Sequence, residues 1–194
     1  MKKVMTVAAL LFSSTSVLAE PGIGLDKKSF VSFDPTILTV SGMDEDLTGM
    51  GFGVHGGKII DGGKLKIKGG YTQVTAENTG ADPSIELDFS NLYFGMDYTV
   101  FRAQNYSFFV GGTFNLWNVD TEISTADQTI FTGSSWVTVD GVSASGSDSG
   151  SDIGYGFGLN FLETKNGSMT ISYNVLPVED VDLNTIILSA VAIF

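Results

Sequence analysis

Ile153-Gly154-Tyr155-Gly156-Phe157-Gly158-Leu159-Asn160-Phe161 sets a bulky apolar side chain at every odd position and almost nothing between them. A two-residue period marks a strand with two different faces. The same contrast returns in Tyr106, Phe108, Val110, Gly112, Phe114 and Leu116, and in Leu92, Phe94, Met96, Tyr98 and Val100. A soluble sandwich would bury the bulky face and offer water many charged side chains on the other. Here the second face is mostly Gly, Ser, Thr and Asn. A narrow barrel in lipid explains both faces, because the bulky side chains meet acyl chains and the small ones fit a lumen about eight strands around. Closure also leaves no backbone group unpaired in hydrocarbon.

Working outward from these segments predicts an all-β fold: an eight-stranded antiparallel up-and-down transmembrane β-barrel. Its strands fall near 29–41, 48–60, 64–76, 85–101, 106–120, 151–162, 168–177 and 184–194. Three connections are short and rich in turn formers: Asp61-Gly62-Gly63, Arg102 to Asn105, and Glu163 to Gly167 with Asn166-Gly167 inside it. The alternate connections, 42–47, 77–84, 121–150 and 178–183, are longer, and the third is loaded with Ser, Gly and Asp. Short periplasmic turns and longer acidic extracellular loops are the expected asymmetry. Two segments fit less cleanly. Ile85, Leu87 and Phe89 are out of phase with Leu92, Phe94 and Met96, which a bulge at Ser90-Asn91 would repair, and the first strand carries Pro35 without clear alternation. The segment from Thr129 to Asp140 either lengthens the fifth and sixth strands or forms its own hairpin.

The N-terminus has the three parts of a secretory signal. Lys2 and Lys3 precede an apolar run from Val4 to Phe12, and small residues lead to Val17-Leu18-Ala19. Cleavage after Ala19 is expected, giving a signal peptide 1–19 and a barrel domain 20–194. The run is too short for a helical anchor, which needs roughly 20 apolar residues. Among 194 residues Cys is absent, which excludes disulfides, thiolate metal sites, a Cys nucleophile and a lipidated Cys. With 24 Gly, 22 aromatics and four Pro, the chain suits short strands and tight turns.

Charge sorts with this topology although it played no part in assigning the strands. The full chain carries −12, and loss of Lys2 and Lys3 makes it −14, which disfavours binding to nucleic acid phosphates. Carboxylates gather in or beside the proposed external loops, forming an acidic rim that includes Asp44, Glu45, Asp46, Glu179, Asp180 and Asp182. The remaining basic residues, Lys27, Lys28, Lys58, Lys64, Lys66, Lys68, Arg102 and Lys165, lie towards the opposite rim.

The signal, the alternating strands and the ending Leu188-Ser189-Ala190-Val191-Ala192-Ile193-Phe194 resemble the small eight-stranded outer-membrane barrels of the OmpA and OmpX type. The resemblance spans most of the mature chain. It implies an outer-membrane location and a terminal strand read by the barrel assembly machinery, with Ile186, Leu188, Ala190, Ala192 and Phe194 on the matching face. Ile187, Val191 and Ile193 make its inward face more apolar than the family pattern. The resemblance specifies architecture and says little of function, because these barrels host adhesion, anchoring, passive and enzymatic roles.

Chemistry-bearing residues are few. His55, the single histidine, shares the lumenal phase of Gly51, Gly53 and Gly57. A nucleophile–base–acid set would have to be built on it, and no match to the outer-membrane lipid A deacylases or acyltransferases is found. Lys66 and Lys68 also point inward, and Asp97 stands at a similar height on the next strand. Buried charges must pair to be tolerated, so His55, Lys66, Lys68 and Asp97 read as a lumenal polar plug. Asp44, Asp46, Thr48 and Gly49 imitate the opening of a calcium loop, but His55 stands where the bidentate Glu is required. Tyr71, Tyr98, Tyr106, Tyr155 and Trp117 fall near strand ends, where interfacial girdles occur.

These readings favour a non-enzymatic, cofactor-free, monomeric surface barrel. Its strands anchor acidic loops, chiefly 121–150, for envelope integrity or surface contact. Outer-membrane lipid, lipopolysaccharide, the assembly machinery, divalent cations and an external surface partner are the expected contacts. Two alternatives stand beside it: a narrow cation-preferring channel fed by the acidic mouth, and a lipid A-modifying enzyme built on His55.

Overall fold

A computed structural model describes residues 28–41, 47–78, 83–131, 136–178 and 181–194. The expected signal peptide lies outside them, as do Asp44, Glu45, Asp46, Glu179 and Asp180. The strands are β1 (Ser29–Ser41), β2 (Leu47–Ile60), β3 (Leu65–Glu77), β4 (Ser84–Arg102), β5 (Tyr106–Ser124), β6 (Gln128–Phe131), β7 (Trp136–Val139), β8 (Ser143–Thr164), β9 (Gly167–Val178) and β10 (Val181–Ile193). Eight of them close in the order β1-β10-β9-β8-β5-β4-β3-β2, with β2 returning to β1, while β6 and β7 pair only with each other. Every neighbour pair is antiparallel.

The alternation read from Ile153 to Phe161 faces outward. Ile153 is 73% exposed, and Phe157, Phe114, Phe94, Phe52 and Phe33 are likewise open, whereas Gly154, Gly158 and Asn160 are buried. Exposed aromatics and aliphatics around a closed wall of strands are the lipid-facing surface of a transmembrane barrel.

Strand β1 alternates strictly after all. Val31, Phe33, Pro35 and Ile37 face out, and Phe30, Ser32, Asp34, Thr36 and Leu38 face in. Pro35 has no N–H for the seam with β10, where pairing runs to Phe33↔Ala190 and resumes at Thr36↔Ile187.

The bulge expected at Ser90-Asn91 does not exist. Strand β4 pairs with β3 without a break from Leu65↔Tyr98 to Glu77↔Glu86. Ile85, Leu87 and Phe89 point into the lumen because the apolar phase inverts there. Along β4, Leu92, Phe94 and Met96 meet lipid, while higher up Leu87 and Phe89 are buried inside and Glu86 and Asp88 face out. Strands β3 and β9 do the same, with Tyr71 and Ile171 outside but Val74 and Leu176 inside. The physical cause is the change of solvent. Within the bilayer the outer face meets hydrocarbon, and above it the outer face meets water, so greasy side chains turn inward there.

Two register shifts sit near the short-turn rim: between Thr99 and Phe101 in β4, and between Phe161 and Thr164 in β8. The second places Leu162 at φ 54, a left-handed backbone that costs a side-chain-bearing residue roughly 1–2 kcal/mol. Each shift flips the strand's parity, sending Phe101 and Leu162 outward and the following Arg102 and Glu163 inward. Glycines on the inner face of β2 permit its close approach to β3: a Cβ at Gly57 would lie 1.8 Å from the Ile67 carbonyl oxygen. The region 121–150, expected as a loop, is mostly strand, since β5 runs on to Ser124 and β8 starts at Ser143, paired with each other throughout.

Candidate functional site

The inner wall carries three layers rather than a uniformly small and polar lining. At the long-loop end Leu38, Val40, Leu47, Val74, Leu87, Phe89, Trp117, Leu176, Val178 and Leu183 form a buried apolar cluster. At the short-turn end Phe30, Ile59, Val191 and Ile193 form a second one. Each buried large side chain contributes roughly 1.5–3 kcal/mol by leaving water. Trp117 belongs to the first cluster, so it is a lumenal residue and not part of an interfacial girdle; its Nε1 donates to Asp152 Oδ2 at 2.9 Å.

Between the two caps lies a belt of polar and charged groups. Asp34 is 1% exposed. Its Oδ1 accepts from Ser32 Oγ at 2.6 Å and its Oδ2 meets His55 Nδ1 at 2.5 Å. Register explains the meeting, since Ser32 lies opposite His55 and the pair points inward beside Asp34. Lys68 Nζ is 2.8 Å from Asp97 Oδ1. Lys66 Nζ donates to Asn160 Oδ1 at 3.2 Å, and that oxygen also accepts from Thr170 Oγ1 at 2.7 Å. Asn160 Nδ2 completes the knot by donating to Ser107 Oγ at 2.9 Å. Higher in the belt Asn91 Nδ2 donates to Asn115 Oδ1 at 2.9 Å. A cavity of about 80 Å³ runs through this belt, bordered by Asp34, His55, Lys66, Asn91, Tyr93 and Asp97 among others.

The structure therefore brings His55, Lys66, Lys68 and Asp97 to one chamber, but in two separate pairings. His55 goes to Asp34 and Lys68 to Asp97, while Lys66 is held by an amide. Ser32 donates to Asp34 and not to the imidazole, so Ser, His and Asp do not stand in the order a nucleophile–base–acid relay needs. The chamber is capped by apolar side chains at both ends, and an eight-stranded lumen filled in this way is a packed interior.

Sequence reasoning missed Asp34, although its phase with Phe30, Ser32 and Thr36 was readable once Pro35 was allowed to face lipid. It also missed the pair at the short-turn rim, where Arg102 Nη2 donates to Gly63 O at 2.8 Å and to Glu163 Oε1 at 3.3 Å. Parity counting cannot carry a residue across a bulge, so no signal in the sequence placed these two inside.

On the terminal strand Ile186, Leu188, Ala190, Ala192 and Phe194 face outward, and Phe194 exchanges backbone hydrogen bonds with Ser29, tying the last residue to the first strand. Ser189, Val191 and Ile193 face inward and are buried. Asp182 lies opposite both Ser41 and Pro177 at the long-loop rim.

Above the lipid-facing residues, carboxylates stand directly opposite one another on the outer face: Glu77↔Glu86, Glu86↔Glu122 and Asp88↔Asp120. Glu86, Asp88, Asp120 and Glu122 share a shallow exposed hollow with Ser145 and Ser147. Opposed like charges cost stability, so this surface is kept at some thermodynamic expense.

Residues 5–194 match the outer membrane protein beta-barrel domain family. This chain is a member of that family. Family membership places the barrel in the outer membrane. Among solved structures it resembles Ail, the attachment invasion locus protein of Yersinia pestis, at 17% identity over 87% of this chain and 99% of that one, with a TM-score of 0.61. It also resembles Neisserial surface protein A, NspA, at 16% identity over 86% of this chain and 97% of that one, with a TM-score of 0.58. Both likenesses establish the same small barrel fold. Comparison with curated protein sequences gives no match.

Proposed function

We propose that this outer-membrane barrel is a non-enzymatic anchor that holds an acidic, strand-built extension outside the cell, for envelope integrity or contact with an external partner. The observation that carries the reading is the height of the paired wall. Strands β5 and β8 stay in register from Tyr106↔Phe161 to Ser124↔Ser143, well past Leu116 and Ile153 on the lipid-facing side. From Leu116 to Ser124 the strand runs on for about 25 Å. A paired sheet of that length is a rigid support for recognition, whereas the polar chamber of the lumen lies between two apolar clusters.

Export by removal of residues 1–19, docking of the terminal strand by the assembly machinery, and contact of the acidic rim with lipopolysaccharide through divalent cations complete the proposal. Ail of Yersinia pestis has been crystallised with the heparin analogue sucrose octasulfate, a polyanion. Here no Lys or Arg occurs between residues 103 and 164, so the extension repels polyanions and suits cationic or neutral partners.

The test replaces residues 119–148 by an Asn-Gly turn joining Asn118 to Ser149, which lie opposite each other. The shortened barrel is expected to keep its heat-modifiable gel migration and to lose adhesion, serum survival or envelope-stress resistance. If every such phenotype is unchanged, the extension is not the functional part.

A further inference from the structure

Lys28, Lys58, Lys64 and Lys165 lie at the short-turn rim, and among the described residues none of them joins an ion pair. The lumenal cations Lys68 and Arg102 behave otherwise, each meeting a carboxylate. Lys28 Nζ instead donates to the Lys165 carbonyl at 3.1 Å, which brings two of the rim lysines together. Asp61 is the exposed acidic side chain of this rim among the described residues. Even with the carboxylate of Phe194 counted beside it, the lysines are in excess.

Lys58 meets the membrane most directly. It follows Met50, Phe52, Val54 and Gly56 on the outer face of β2 and stands opposite the exposed Ile67. A lysine at the end of a lipid-facing row lays its stem along the apolar wall and carries the ammonium to headgroup level. Lys28 is beside it, since the Ile59 N–H donates to the Lys28 carbonyl at 2.9 Å. On the same rim the exposed rings of Phe101 and Tyr106, 5.9 Å apart, mark the interface. Next to Lys58 the outer wall is recessed. Gly56 and Gly69 stand opposite each other, with Val31 and Phe94 on either side and Val54 and Tyr71 above. The Phe94 ring leans over Gly69, but a Cβ on Gly56 would find only backbone atoms within 4 Å, so no side chain covers it.

We infer that the short-turn rim around Lys58 is a binding site for anionic phospholipid, the phosphate held by the ammonium groups of Lys58 and Lys28 and an acyl chain lying against Gly56. Charge selects the lipid: a zwitterionic headgroup brings its own cation to the phosphate, whereas an anionic one leaves its charge to the lysines. The acidic outer face at the far end of the barrel, with Glu86, Asp88, Asp120 and Glu122, repels the same headgroups. Opposite charge at the two ends thus favours one orientation of the barrel across an asymmetric membrane.

The experiment uses the folded full chain in micelles doped with equal amounts of phosphatidylglycerol and phosphatidylethanolamine, with bound lipid identified by native mass spectrometry. The parent is expected to retain phosphatidylglycerol about tenfold or more over phosphatidylethanolamine, and the preference should fall with added salt. Lys58→Gln should lower it about fivefold, Lys58→Arg should keep it, and Lys28→Gln with Lys58→Gln and Lys64→Gln should abolish it. Heat-modifiable migration checks that each variant is folded, and the single variants carry the test if the triple one does not fold. Equal retention of the two lipids, or a preference that survives the triple substitution, overturns the inference. So does displacement of the lipid by an equal concentration of inorganic phosphate, which would reduce the site to a free-phosphate site. Lysine-dependent capture of peptidoglycan fragments without any lipid preference would assign the rim to the cell wall and overturn it as well. None of these readouts depends on the extension beyond the other rim, so they stand or fall apart from the surface-contact reading.

Discussion

Replacing Arg102 by Met tests whether the two bulges exist to build one buried ion pair. The side chains of Arg102 and Glu163 are 3% and 2% exposed, with Nη2 and Oε1 3.3 Å apart. Met keeps most of the stem volume and removes the cation. Glu163 is then left with a buried carboxylate whose Oε2 already lacks a hydrogen-bond partner among the described residues, and Gly63 O loses its donor. Breaking a buried pair from one side costs about 3–5 kcal/mol, and the lost bond to the carbonyl adds about 1 kcal/mol. A loss of roughly 4–6 kcal/mol is a thousandfold or more in the unfolding equilibrium. Arg102→Met combined with Glu163→Met removes both charges and should recover most of that loss, because a buried pair replaced by apolar groups is often neutral. Urea titrations of the barrel in micelles, followed by gel migration and tryptophan fluorescence, measure both variants. A single variant within about 1 kcal/mol of the parent, or a double variant no better than the single, would refute the reasoning.

Other outcomes follow from the same structure. Gly57→Ala should prevent closure of β2 on β3, seen as loss of the heat-modifiable band, because the added methyl would sit 1.8 Å from a carbonyl oxygen. Phe89→Ala should cost about 3–5 kcal/mol in the same urea titration, since it opens a cavity in the upper cap. In planar bilayers the intact protein should show no steady conductance over a wide voltage range; a stable cation current would mean that the caps open. Removing Phe194 should lower the amount reaching the outer membrane in cells while leaving folding into micelles nearly unaffected, which separates a recognition role from a structural one.

The bilayer made much of this fold legible in the sequence. Wherever a strand crosses hydrocarbon its outer face must be apolar and its backbone must pair, so Ile153 to Phe161 and its counterparts announce strands, faces and closure together. Lumenal placement of His55, Lys66, Lys68 and Asp97 followed from the same parity, which holds wherever a strand is regular. Parity failed in two places, each for a physical reason. Above the membrane the outer face meets water, so the apolar phase inverts, and Ile85, Leu87 and Phe89 looked like the product of a bulge when they were the roof of the lumen. At the true bulges parity breaks, which hid Arg102 and Glu163.

Which groups pair across the lumen was decided by tertiary structure alone. Asp34 and His55 meet because β1 and β2 are in register, but Lys66 reaches Asn160 on the other side of the barrel, 94 positions along the chain. Local sequence fixes what a residue faces while the solvent on each side is known; closure of the barrel fixes what it touches.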